Sequence, residues 1–277
     1  MNQNLHFLNY EKHTLPYRRY GNGQELLIAF HGYGRSSEDF SVFEKDLGHA
    51  YTIIAFDFFY HGANADELEI QVEPLTTTIL SNMLEKLLWE EKKVRFSVIG
   101  HSLGGKLALG FVHRLPHRIH ELFLLAPDGF TFDIARKFLL NTWLGKQVSK
   151  LSVSYPKLFI NTIKLGGKIK LYDQKQQHFF LKNIETKDQR LRVYRTWQTL
   201  KKFSLHLGLV QHYLNTRSIR FELFFGKYDK IVPQSVTSKF IRKLKQKEVL
   251  HLLDCGHQIF QKHEDISRII LQNSSNN

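Results

Sequence analysis

The chain has 277 residues, 42% of them hydrophobic and 23% charged, which is enough apolar material for one α/β core carrying an insertion. Its single cysteine, Cys255, excludes an internal disulfide and any multi-cysteine metal site within one chain. The net charge of +13 resides wholly in the middle: residues 131–218 hold 17 Lys/Arg against 4 Asp/Glu, and the remainder holds 22 of each.

The first ten residues lack the basic start and continuous apolar stretch of a secretion signal. No run approaches the ~18 apolar residues of a membrane span, so a soluble cytoplasmic protein is the default expectation. Residues 17–20, before Gly21-Asn22-Gly23, read as a hairpin strand. Short runs rich in Ile, Leu, Phe and Val follow at 26–30, 51–56, 96–99, 121–125, 219–225 and 248–253, the pattern of strands buried on both faces of a mostly parallel sheet. Between them, Leu80, Met83, Leu84, Leu87 and Leu88 mark one face of a helix over 75–93. A second helix over 103–115 is stopped by Pro116, and a third over 263–272 precedes a polar tail. Strands alternating with helices imply right-handed crossovers and a doubly wound sheet.

The alternation breaks at 130–218, which reads as helices over 133–144, 156–165, 174–184 and 188–203. Asp133 and Thr186 serve as N-caps there, with Gly145 and Gly166-Gly167 as stops. A helical block inserted between two strands of a parallel sheet is expected to sit above the sheet edge as a lid. The expected division is a core of 1–129 and 219–277 and a helical cap of 130–218.

Gly100-His101-Ser102-Leu103-Gly104 fits G-x-S-x-G, with a strand-like run before it and a helix-like run after it. On so sharp a turn the nucleophile's neighbours two residues away must lack bulk, which Gly100 and Gly104 satisfy. Ser102 also stands at a helix N-terminus, where the dipole favours developing negative charge. His257, in Asp254-Cys255-Gly256-His257, follows the last strand and is the expected base among 15 histidines. Asp229, in Gly226-Lys227-Tyr228-Asp229, follows the preceding strand and would fix the imidazole tautomer. Asp128, just past the 121–125 strand, is the alternative acid.

His31-Gly32-Tyr33-Gly34 follows the 26–30 strand; its glycines permit close backbone approach, and the N–H groups of Tyr33 and Leu103 would form an oxyanion hole. Asp57 to Gly62 reads as structural support for the neighbouring loop. Cys255 reads as a small buried residue whose side chain points away from the histidine's.

Together these segments resemble the α/β-hydrolase superfamily, in particular the capped branch of carboxylesterases, lipases, C–C bond hydrolases and cofactor-free haloperoxidase-like enzymes. In that branch the segment matching Asp57-Phe58-Phe59-Tyr60-His61-Gly62 usually reads D-x-x-G-H-G, so Tyr60 stands where a glycine is usual. The resemblance implies a Ser-His-Asp triad, no metal and no organic cofactor. Ser102 argues against the dehalogenase and epoxide hydrolase members, which need a carboxylate nucleophile.

The expected reaction is cleavage of a carboxylic ester or thioester of a small-molecule acyl substrate through an acyl-enzyme. The alternatives are an acyltransferase, a lyase or a C–C bond hydrolase using the same triad, and a non-catalytic ligand-binding protein of the same fold. Aromatics of the middle segment, among them Tyr155, Phe179, Phe180, Tyr194, Trp197 and Phe203, pack the helices together and line an acyl pocket. The basic surplus is a solvated face, a site for an anionic substrate or a contact with a lipid surface. No nucleic-acid motif accompanies it.

Overall fold

A computed structural model describes residues 5–130, 151–169, 174–246 and 249–272, apart from 69, 71 and 152. The expected helix over 133–144 and its flanking Asp133 and Gly145 lie outside the described residues.

Eight strands form one sheet: β1 (Leu5–Tyr10), β2 (His13–Tyr20), β3 (Glu25–Phe30), β4 (Tyr51–Phe56), β5 (Phe96–His101), β6 (Ile119–Leu125), β7 (Arg220–Gly226) and β8 (Leu250–Leu253). Their spatial order is β1-β2-β4-β3-β5-β6-β7-β8, antiparallel for the β1–β2 and β2–β4 pairs and parallel elsewhere. Side chains alternate across the sheet, so each strand feeds two apolar layers. Leu26, Ile28, Phe30, Val98, Leu122, Leu124 and Phe225 face one layer, and Leu27, Ala29, Ile99, Phe123, Leu125 and Phe224 face the other. The first layer is closed by α1 (Thr77–Glu90) and α2 (Leu103–Arg114), whose Leu80, Leu84, Leu87, Leu107 and Phe111 are buried against it. The second is closed by Phe40, Phe43, Ile266 and Ile270 from the other side.

β1 was not expected. As an edge strand it buries Leu8 alone to any depth, so it carries no alternating signal strong enough to read.

Between β6 and β7 lie α3 (Pro156–Lys168), α4 (Gln174–Lys182), α5 (Lys187–Leu200) and α6 (Leu207–Thr216). Thr186 caps α5 through a capping box with Gln189, as its position implied. Gly166-Gly167, expected to stop α3, lie inside it. They form its last turn, and the helix ends one residue later, at Lys168; a Cβ at Gly167 would come 2.4 Å from Gln177 Nε2 on α4, so the glycine also serves helix–helix approach. The helices are tied to the sheet layer by Leu75 N–H, which donates to Thr199 O at 2.8 Å, and by the Thr77 hydroxyl, which donates to Ser204 O at 2.6 Å. Among the described residues no helix is long and apolar enough to cross a membrane.

The chain runs from β3 outward to β4 and returns past β3 to β5. The sheet therefore has its switch point between β3 and β5, and the crevice beyond the carboxyl ends of those strands is where such folds bind ligands.

Candidate active site

Ser102 directly follows β5 at this crevice and is only half-buried. Its backbone, at φ 49° and ψ −113°, lies in a region that a residue with a Cβ rarely occupies. The surroundings hold it there: its N–H donates to Leu125 O at 2.9 Å, and its carbonyl accepts from Gly105 at 2.9 Å and from Asp128 at 2.8 Å. A Cβ at Gly100 would lie 2.5 Å from Gly104 O, and one at Gly104 would lie 2.0 Å from Phe30 O. The turn is thus wedged between β3 and α2, and bulk at either glycine would push it out.

The loop after β3 lies directly against Ser102. A Cβ at Gly32 would stand 3.1 Å from Ser102 Cβ and 2.8 Å from His101 Nδ1. Gly34 has φ +74°, a left-handed conformation that suits glycine. Among the described residues neither the Tyr33 nor the Leu103 N–H is spent on a backbone hydrogen bond, and the latter is the first, orphaned donor of α2. His31 shapes this loop from below. Its Nε2 accepts from Phe58 N–H at 3.0 Å, so Nδ1 carries the proton and donates to Gly32 O at 2.7 Å. Burial holds His31 neutral, pushing its pKa down.

Asp229 and His257 follow β7 and β8. Their loops touch backbone to backbone: a Cβ at Gly226 would lie 2.2 Å from Gly256 O, and Tyr228 N–H donates to Cys255 O at 3.0 Å. His257 Nδ1 lies 2.7 Å from Asp229 Oδ2. The Asp229 side chain has 0% exposure, and its Oδ1 accepts from Ile231 and Val232 N–H at 2.8 and 3.0 Å. A carboxylate only accepts, so Nδ1 bears the proton and Nε2 keeps a free lone pair. Asp128, the alternative acid, instead turns Oδ1 back to its neighbour's Gly129 N–H at 2.7 Å, while its own N–H braces Ser102. Cys255 is buried, which raises its thiol pKa.

His101 escaped notice in the sequence although it lies inside the G-x-S-x-G segment. Its ring is 5.2 Å from that of His257 and 5.0 Å from that of Phe260, and its Nε2 is 3.4 Å from His257 O. Burial first, and His257 second, push its pKa well below the usual histidine value. It is a neutral strut between the Ser102 turn and the His257 loop.

Asp57 supports the neighbouring loop from a fully buried position. Its Oδ2 accepts from Arg18 at 2.9 Å and Ala63 N–H at 3.0 Å, and its Oδ1 accepts from Ser37 N–H at 2.6 Å. Tyr60 adopts φ 67°, the conformation that explains the usual glycine. Its buried ring and a hydroxyl bonded to Ile70 O and Val72 N–H hold the strained backbone in place.

From the helices between β6 and β7, the Phe179 ring lies 6.5 Å from that of His257, and Asn183 Oδ1 lies 3.8 Å from where a Cβ on Gly34 would be. Among the described residues no three of His, Cys, Asp and Glu come together in a way that could hold a metal ion.

An eight-stranded, mostly parallel sheet with a strained serine at its switch point defines the architecture of the α/β hydrolases. The family model for the alpha/beta hydrolase fold matches residues 25–264, and the chain belongs to that family. It is 28% identical over 166 residues to an uncharacterized protein of Mycobacterium tuberculosis, covering 60% of this chain and 47% of that protein. The chain thus spans about half the length of the curated relatives it matches. Among solved structures, a hydrolase from Pseudomonas aeruginosa is similar at TM-score 0.65 and 17% identity, with 98% of each chain covered. A thermophilic esterase from Thermogutta terrifontis is similar at TM-score 0.63 and 17% identity, covering 95% of this chain and 93% of that one. At such identities these two structures speak for the fold.

Proposed function

We propose that the chain is a serine hydrolase of carboxylic esters or thioesters. The observation that carries this reading is the 2.7 Å Asp229–His257 hydrogen bond, on loops that pack against His101, the residue before a serine held at positive φ. With Nδ1 tied to Asp229, His257 Nε2 takes the Ser102 proton as Oγ attacks the acyl carbonyl. Asp229 steadies the imidazolium, and the Tyr33 and Leu103 N–H groups receive the oxyanion. Collapse of the tetrahedral intermediate, with the proton passing from His257 to the leaving group, yields the acyl-enzyme. Water then attacks it by the reverse proton path. The helices α3 to α6 act as the cap over this crevice, a role supported by Phe179 and Asn183 reaching its rim.

A fluorophosphonate probe tests the reading. Labelling of the native protein is expected to disappear in Ser102→Ala and to fall sharply in His257→Ala; a native protein that resists the probe sinks it.

A further inference from the structure

Beside the loop after β3 lies a cavity of about 420 Å³ whose lining includes Gly34, Arg35, Asp39, His61 and Arg192. A volume of this size suits a small ligand. Its charges are unequal. Arg35 is neutralised by Asp39, which it grips with Nε at 2.5 Å and an Nη at 2.6 Å. His61 donates from Nδ1 to Phe59 O at 2.8 Å, and burial, followed by the neighbouring His31, pushes its pKa down to about 3. It therefore adds no charge. Arg192 remains, on α5 four residues after Asp188, and its Nε is buried with no acceptor among the described residues.

Buried donors without partners are rare, so this Nε–H calls for an acceptor, while the rest of the half-buried side chain stays open to the cavity. The position is also fixed. α5 starts in the Thr186 capping box, and Arg190, two residues earlier, anchors the helix to Val153, Ile184 and Glu185 carbonyls. At the far end, Leu75 N–H grips Thr199 O. Arg192 acts electrostatically on both Tyr33 and His61, so it stands over the loop that carries one proposed oxyanion donor.

We infer that Arg192 makes this cavity a subsite for a carboxylate on the substrate, so that the preferred substrate is a monoester or monothioester of a dicarboxylic acid. The inference rests on the serine hydrolase reading and narrows its substrate class. A planar guanidinium presents paired N–H groups that match the two carboxylate oxygens. The free acid group would dock on Arg192 while the scissile carbonyl meets the Tyr33 N–H, one residue from Gly34 at the cavity wall. The basic surplus of the middle segment then has one member with a specific task.

The test compares the 4-nitrophenyl monoester of glutaric acid with its neutral methyl diester. The ratio of kcat/KM, acid over neutral, is expected to fall about 10- to 100-fold in Arg192→Met, the worth of hydrogen bonds to a charged group. Should that variant fail to fold, Arg192→Lys carries the test, because it keeps the charge and loses the fork; a fall of roughly 3-fold or more supports the subsite. Lys187→Met removes one charge from an exposed site on the same helix. An equal fall there assigns the effect to the diffuse basic field and overturns the inference, as does an unchanged ratio in Arg192→Met. Calorimetric binding of glutarate to Ser102→Ala, lost in Ser102→Ala/Arg192→Met, reads the subsite without turnover. Inorganic phosphate binding as tightly as glutarate overturns the carboxylate assignment. Glutarate bound by a protein that cleaves neither ester leaves the subsite and removes the hydrolase reading; ester cleavage without glutarate binding does the reverse.

Discussion

Around Ser102 the chain is assembled backbone against backbone, whereas α3, α4 and the start of α5 are joined through the ends of long side chains. Gly104 lies on the Phe30 carbonyl and Gly226 on the Gly256 carbonyl, with no side chain between to adjust. In the helical region, Gln177 reaches across to the Ile163 and Lys164 carbonyls, and Arg190 to those of Val153, Ile184 and Glu185. The first arrangement leaves Ser102 little freedom to shift, which the proposed reaction needs. The second tolerates drift in sequence and lets a site change what it admits. Charge divides in the same way: the basic excess lies in residues 131–218, and the rest of the chain is neutral by count.

The largest effect that would sharpen this contrast is on catalysis. Asp229→Asn should lower kcat on a 4-nitrophenyl ester by about 10⁴-fold, the size seen when a triad acid is lost in serine proteases. Asp128→Asn should cost far less, because its carboxylate faces Gly129 N–H and not the imidazole. Equal losses in the two variants would break the assignment of the acid.

Next in size is the buried support of the rigid region. Asp57→Asn removes the charge opposite Arg18, whose side chain is only 10% exposed. It is expected to cost about 1.5–3 kcal/mol in urea unfolding, since Arg18 loses its buried carboxylate and keeps only the exposed Glu38, at 2.8 Å. Arg190→Met, in the helical region, gives up three half-solvated hydrogen bonds and should cost about 1–2 kcal/mol. A larger loss at Arg190 than at Asp57 would reverse the ranking of the two regions.

The rigid region also carries a pH dependence. His31, His61 and His101 are all held neutral by burial, with pKa values below the ordinary 6.5. The unfolded chain therefore binds more protons than the folded one as pH falls beneath that value. The stability is present in full above about pH 6.5 and is lost on acidification, for His61 over the window from 6.5 down to about 3. Each histidine contributes up to about 1.4 kcal/mol per pH unit in that window. Urea midpoints measured at pH 7.5 and 5.5 should differ accordingly, and a flat profile would mean the three rings are not neutral in the folded state.

What could be read in advance follows the same division. The parallel strands were legible because they are apolar on both faces. The sharp turns at Ser102, Asp229 and His257 follow strand ends in a way that spacing reveals. β1 was not legible, since only Leu8 needs burial. The Asp57 network joins Arg18, Ser37 and Ala63 across long stretches of chain, and no local pattern reports such pairing. His101 lay in plain view, but nothing in the motif says that its ring would brace the His257 loop. Arg192 is one of 17 basic residues in its segment and is distinguished only by the cavity it enters.

Gly166-Gly167 shows a second role that spacing alone does not reveal, and it supplies the smallest prediction. A glycine pair reads as a helix stop because free glycine costs a helix about 1 kcal/mol relative to alanine. In α3 the cost is accepted so that Gln177 can lie against Gly167. In Gly167→Ala the new Cβ would meet Nε2, the far end of a flexible side chain, which can swing aside and give up two long hydrogen bonds of 3.4 and 3.3 Å. That loss and the gain in helix propensity are of similar size, so the net change should stay within about 0.5 kcal/mol of zero. The same substitution at Gly104 drives a Cβ to 2.0 Å from a backbone carbonyl that cannot move without moving β3. Gly104→Ala should therefore destabilise by roughly 1–3 kcal/mol and displace Ser102 as well. A Gly167→Ala protein as damaged as Gly104→Ala would show that α3 and α4 are packed as tightly as the elbow, and the two regions would no longer differ in kind.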